Sequence, residues 1–134
     1  MLNELKNDEK FEEIAKKFGI CFILLFGSKA EGVDTSESDT DIAVYADHVL
    51  SEEEKISLAF ELSLILETEN IDLVDIKIAP PMLKRKIFEN YKILYLKESS
   101  ILYQIELSTL KEYEEVKILY EIRDERIKEF LIDR

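Results

Sequence analysis

Leu24-Leu25-Phe26-Gly27-Ser28 and, after a gap of ten residues, Asp39-Thr40-Asp41-Ile42-Ala43-Val44 decide how this chain is read. The first stretch is the apolar end of a buried strand running into a turn. The second starts acidic and continues as a second apolar strand. Side chains alternate along a strand, so Asp39 and Asp41 project together while Thr40 points away. Two carboxylates side by side repel unless a cation neutralises them or one takes up a proton. Magnesium suits such a pair, because it binds through one or two carboxylates, keeps several waters and completes its shell with phosphate oxygens. The turn supplies the other half of a phosphate site. Gly27 permits close backbone approach, Ser28 offers a hydroxyl, Lys29 adds positive charge, and the free N–H groups of the following turn would face an anion.

Outward from this stretch, Leu5 to Phe18 carries apolar residues at helical spacing and stops at Gly19, as a helix C-terminus does. Ile20 to Phe26 is a buried strand, 28 to 38 a phosphate-side turn and polar loop, and Asp39 to Tyr45 the second strand. Ser51-Glu52-Glu53-Glu54 is a capping box that opens a helix to about Glu67. The apolar residues of that helix are too many for one stripe, so it is sandwiched or exposes a contact face. Ile71 to Ile78 reads as a strand. Pro80-Pro81 ends it and pre-sets a helix from Pro81 to about Asn90, and Lys92 to Leu96 is a short last strand. From Ser99 onward there is neither glycine nor proline, and apolar residues recur at helical spacing. A helix over 99–132 would be about 50 Å long and would project from a body of this size or bend back over it. The order predicts an α/β (α+β) chain with a mixed sheet of about four strands flanked by helices, and excludes an all-parallel doubly wound sheet.

The bulk numbers agree with one domain spanning 1–134, its core about 20–97. The chain has 134 residues, 46% hydrophobic, with formal net charge −12, enough for one core and short for two. Such an acidic surface excludes a large nucleic-acid footprint, which draws its affinity from cations on phosphates. A small nucleotide is still compatible, since its phosphates would meet a metal. The single Cys21 lies in an apolar run and reads as a buried structural thiol. The N-terminal segment lacks the apolar core of a signal peptide and no run is long enough to span a membrane, so a cytoplasmic location without membrane contact is expected.

Ile71-Asp72-Leu73-Val74-Asp75-Ile76 offers a third carboxylate. Asp72 and Asp75 are three apart, so on a regular strand only one of them can join the pair. The quoted stretches, with Phe26-Gly27-Ser28-Lys29-Ala30-Glu31-Gly32 and Ile71 to Ile76 running on to Ala79-Pro80-Pro81-Met82-Leu83, resemble the minimal nucleotidyltransferases of the DNA polymerase β superfamily. The likeness is strongest to the antitoxin half of HEPN/minimal-nucleotidyltransferase toxin–antitoxin pairs, and spans about residues 20 to 97. It implies a polymerase-β-like fold, with Asp39 and Asp41 holding Mg²⁺ and a third aspartate assisting. With strand parity it selects Asp72 for that role, giving Asp39, Asp41 and Asp72 as catalytic and metal-binding residues and Gly27, Ser28 and Lys29 as nucleotide-binding ones. Lys29 stands where the family often has arginine, keeping the charge and losing the bidentate fork. The resemblance further implies transfer of AMP from ATP to a hydroxyl, a tyrosine of a cognate HEPN-type toxin, whose RNase activity is thereby silenced. Homo- or hetero-oligomer contacts would run through helices 51–67 and 99–132.

Other readings of the same residues are weaker. An EF-hand starting at Asp39 would need glycine at Val44. Gly27 to Gly32 begins like a Walker A loop, but Val33 and Asp34 replace the Lys and Ser/Thr. His48, the only histidine, reads as a surface residue, and no Ser28 triad assembles around it. Capture of a toxin without catalysis, and nucleotide transfer to a small molecule such as an aminoglycoside, fit the same pattern.

Overall fold

The computed structural model describes residues 2–27, 30 and 39–132, the first seven and the last of these as backbone only. The elements in order are α1 (Leu2–Phe18), β1 (Ile20–Phe26), β2 (Thr40–Ala46), α2 (Glu52–Leu66), β3 (Ile71–Asp75), a 3₁₀ turn (Ile76–Ile78), α3 (Pro81–Glu89), β4 (Tyr91–Leu96) and α4 (Ser99–Ile132). The four strands form one mixed sheet in the order β3-β2-β1-β4. β1 runs antiparallel to both β2 and β4, and β3 runs parallel to β2.

Each face of the sheet buries a separate core. On one face α1 and α2 pack Phe11, Ile14, Phe18, Leu58 and Leu62 against Ile20, Ile23, Ile42 and Val44. On the other, α3 and the start of α4 pack Ile87, Phe88 and Leu102 against Phe22, Leu24, Phe26 and Ala43. The β1–β2 register shifts between Ile20 and Phe22, which is why Ile20 and Ile23, three apart, share a face. A bulge of this kind inserts one unpaired residue and resets the alternation. The central strands are buried on both faces and contribute about 1.5–3 kcal/mol for each large side chain removed from water.

The expected capping box is present. The Glu54 N–H donates to Ser51 Oγ at 3.1 Å and the Ser51 N–H to Glu54 Oε1 at 3.1 Å. Beyond it α2 buries Leu58 and Leu62 and leaves Ile56, Phe60 and Leu64 exposed at every fourth position, so the helix has an apolar face open to solvent. β3 stops earlier than the sequence suggested. Asp75 Oδ1 accepts the Lys77 N–H at 3.0 Å and caps a 3₁₀ turn, so Ile76–Ile78 leaves the sheet. The strand expected from Asp39 starts at Thr40, whose N–H donates to the Asn70 carbonyl at 2.7 Å.

α4 has 34 residues, about 50 Å at 1.5 Å each. Its first half lies along α3: Lys84 Nζ meets Glu112 Oε2 at 2.5 Å and the Arg85 guanidinium covers the Tyr113 ring at 4.2 Å. Every side chain from Lys117 to Leu131 is exposed, including Leu119, Tyr120, Phe130 and Leu131. The helix therefore projects. Among the described residues no helix is long and apolar enough to cross a membrane.

Candidate active site

One row of the sheet gathers the chemistry. Tyr91 of β4 lies opposite Phe26 of β1, Phe26 opposite Asp41 of β2, and Asp41 opposite Asp72 of β3. Because β2 and β3 run parallel, the two aspartates sit side by side at the same end of the sheet as the Gly27 turn. Ile42 and Val44 belong to the α1/α2 core, so Asp41 projects by alternation to the α3/α4 face.

Asp41 is half-buried, and its carboxyl is held above the usual carboxylate range. Burial is the main cause, followed by the repulsion of Asp72; the Lys86 ammonium opposes the shift, Asp39 adds to it, and a hydrogen bond shared with Asp72 adds to it again. Two carboxyls that compete for one charge hold a proton more firmly than either would alone. Asp39 is exposed one residue before the strand, and reaches Asp41 through charge. Among the described residues no three His, Cys, Asp or Glu side chains are drawn together as a metal cluster; the close association is the pair Asp41–Asp72. Ser28 and Lys29 lie outside the described residues.

Gly27 has a role the sequence did not disclose. Its φ is +78°, and a Cβ there would lie on Asp41 Oδ2, so the glycine makes room for the carboxylate as well as for the turn. The turn closes through the Ala30 N–H, which donates to the Gly27 carbonyl at 3.1 Å. Asp75 takes no part in the pair. It is 4% exposed and accepts the Leu50 N–H at 3.0 Å and the Lys77 N–H at 3.0 Å, a structural role that the three-residue offset from Asp72 made readable.

Lys86 is the charged neighbour that sequence reasoning passed over. Pro81 at the start of α3 and the buried Ile87 set the phase of that helix, which was the available signal. The only histidine lies elsewhere, on the surface, with Nδ1 2.5 Å from Asp47 Oδ1 and Nε2 2.9 Å from Glu54 Oε2. A cavity of about 720 Å³ also opens at that opposite end, lined by Lys16, Gly19, Cys21, Asp47 and Lys97. It contains neither Asp41 nor Asp72 and carries both signs of charge.

The donor set suits a hard divalent cation. Asp41 and Asp72 present carboxylate oxygens, and the upward push on the Asp41 carboxyl marks a crowding of negative charge that a cation would relieve.

A mixed sheet of this order with an aspartate pair at the hairpin end defines a nucleotidyltransferase fold. The chain belongs to the polymerase beta nucleotidyltransferase family, whose pattern matches residues 9–100. No curated protein matches it. Among solved structures it is similar to a chain of a toxin–antitoxin with AMP-PNP, with 24% identity over 91% of this chain and 98% of that one and a TM-score of 0.74. It is similar also to a chain of the tri-AMPylated Shewanella oneidensis HEPN toxin in complex with MNT antitoxin, with 22% identity over 93% and 98% and a TM-score of 0.69. A third similarity is to the MntA–HepT toxin–antitoxin, with 22% identity over 92% and 98% and a TM-score of 0.69. At these identities the likeness is one of fold.

Proposed function

We propose that this protein is an antitoxin that transfers AMP from ATP to a hydroxyl, a tyrosine, of a HEPN-type RNase toxin. The observation that carries the reading is the side-by-side placement of Asp41 and Asp72 across β2 and β3, next to the Gly27 turn. Membership in the nucleotidyltransferase family supports the reaction class. The fold shared with chains from a toxin–antitoxin holding AMP-PNP and from a complex with an AMPylated HEPN toxin supports the nucleotide and the acceptor.

In this reading the nucleotide's phosphates lie against the Gly27-Ser28-Lys29 turn. Asp39, Asp41 and Asp72 would hold Mg²⁺, which when bound neutralises the carboxylates and the phosphate oxygens. Asp72, the more exposed of the pair, takes the proton of the acceptor hydroxyl. That oxygen bonds to the α-phosphorus, the bond from the α-phosphorus to the bridging oxygen breaks, and pyrophosphate leaves with the electron pair. The turn N–H groups receive the charge that develops on it.

Ile56, Phe60 and Leu64 on α2, and the projecting half of α4, provide apolar surface for a protein acceptor. The same surface favours a second reading, in which the chain neutralises its toxin by capture alone. Intact-mass spectrometry of a co-expressed HEPN-type partner, with Mg²⁺ and ATP, separates them. AMP-sized increments with the wild-type chain and none with D39N/D41N establish transfer. An unmodified partner in a stable complex with the wild-type chain overturns it in favour of capture.

A further inference from the structure

We propose that Lys86 is a phosphate-binding residue of this site, its ammonium contacting the β- and γ-phosphate oxygens of a nucleoside triphosphate. The proposal rests on the nucleotidyl-transfer reading above and assigns a residue to it.

Helix α3 follows the edge strand β3 and leads into β4 at Tyr91, so it crosses the same face that carries Asp41 and Asp72 and finishes at their end of the sheet. Ile87 is fully buried beneath it and Phe88 nearly so, which fixes the rotation of the helix. One flank then faces α4 and consumes two of the three consecutive cations. Lys84 pairs with Glu112 at 2.5 Å. Arg85 reaches Glu89 at 3.8 Å and lies over Tyr113.

Lys86 falls on the other flank, in the last turn of the helix. Residues three or four apart share a helix face, so its neighbour there is the exposed Met82. Among the described residues no carboxylate forms an ion pair with Lys86. Its charge nevertheless reaches Asp41, where it opposes the effects of burial and of Asp72. An exposed ammonium in the last turn of α3, at the acid end of the sheet and in no ion pair among the described residues, is available to an anion bound beside the carboxylates. The phosphates of a nucleotide are such an anion, and lysine serves them as a mobile point charge.

The alternative is that Lys86 is only a counter-ion for the acid pair. The two roles differ in what they read. A phosphate contact discriminates ATP from AMP, because it reaches the β- and γ-phosphates, whereas a counter-ion acts on both nucleotides alike.

Binding of ATP and of AMP in the presence of Mg²⁺, measured by calorimetry on the wild-type chain, K86M and K86R, tests this. K86M is expected to lose about tenfold or more in affinity for ATP, to bind AMP within about twofold of wild type, and to keep the wild-type unfolding temperature; K86R is expected to recover most of the ATP affinity. If the wild type prefers ATP to AMP and K86M keeps that preference, the assignment of Lys86 is wrong and the reading of the site stands. A K86M chain that loses affinity for both nucleotides equally also overturns the assignment. If the wild type binds neither nucleotide, the reading fails and the assignment with it.

Discussion

At each end of the β1–β2 pair a glycine with positive φ lies beneath a carboxylate: Gly27 at φ +78° under Asp41, and Gly19 at φ +68° under Asp47. In both places a Cβ would collide with carboxylate oxygens, so the backbone solution is the same. The electrostatic surroundings are opposite. Asp47 receives a hydrogen bond from His48 and feels Lys97, and its carboxyl is held below the usual carboxylate range. Asp41, half-buried, faces Asp72 and Asp39, and its carboxyl is pushed up. The first acid is satisfied by its neighbour His48. The second carries a charge conflict that a proton or a bound cation relieves, a kind of conflict that clusters at functional sites.

The sharpest way to break this comparison is to neutralise the crowded end. D39N/D41N is expected to lower AMP transfer at least about a thousandfold while leaving the unfolding temperature equal or higher. The sign follows from the raised carboxyl of Asp41. The unfolded chain ionises first as pH rises past 3.8, so above that value the native Asp41 costs stability that asparagine does not. A drop in unfolding temperature would contradict the conflict. The corresponding change at the satisfied end, D47N, is expected to leave transfer within about twofold of wild type.

Asp75 separates structural from chemical acids on one strand. D75A leaves the Leu50 and Lys77 N–H groups without their acceptor and is expected to cost about 3 kcal/mol of stability, read by denaturant unfolding, with little change in kcat for the folded fraction. A kcat collapse with intact stability would move Asp75 into the site.

The glycines are expected to behave alike in stability and differently in activity. G19A and G27A should each cost about 1–2 kcal/mol, since a Cβ is strained at these angles. Only G27A should also lower transfer, by about tenfold or more, because its Cβ displaces Asp41 from the geometry the reaction needs. Equal transfer by the two variants would show that the position of Asp41 is immaterial.

The smallest effect belongs to His48. Its pKa is raised first by the hydrogen bond it donates to Asp47 and then by the one it donates to Glu54. A raised histidine stabilises the fold fully below its unfolded value of 6.5, and the contribution fades as pH rises through the higher folded value. Unfolding temperature followed from pH 5.5 to 8.5 should therefore decline slightly more for the wild type than for H48Q, with the difference shrinking in high salt because the group is exposed.

The two strands around Gly27, the capping box at Ser51, the proline start of α3 and the long α4 were legible because each rests on local rules of alternation, capping and helical spacing. So was the opposite placement of Asp72 and Asp75, a matter of parity. The end of β3 was not, since a side chain that caps a turn and one that continues a strand look alike in sequence. Lys86 was hidden for a related reason: three cations in a row are equivalent until α4 engages two of them.

By itself the sequence determined the order and type of the strands and helices, though not the end of β3, and that acids would stand together at the start of β2, because backbone periodicity and strand parity act between near neighbours. Only the tertiary structure decided that β3 lies parallel beside β2 and sets Asp72 against Asp41, that Gly27 must yield space to that carboxylate, and that one cation of α3 stays open toward the pair. Strand order and helix rotation come from burying both faces of one sheet, a condition that no local stretch of chain contains.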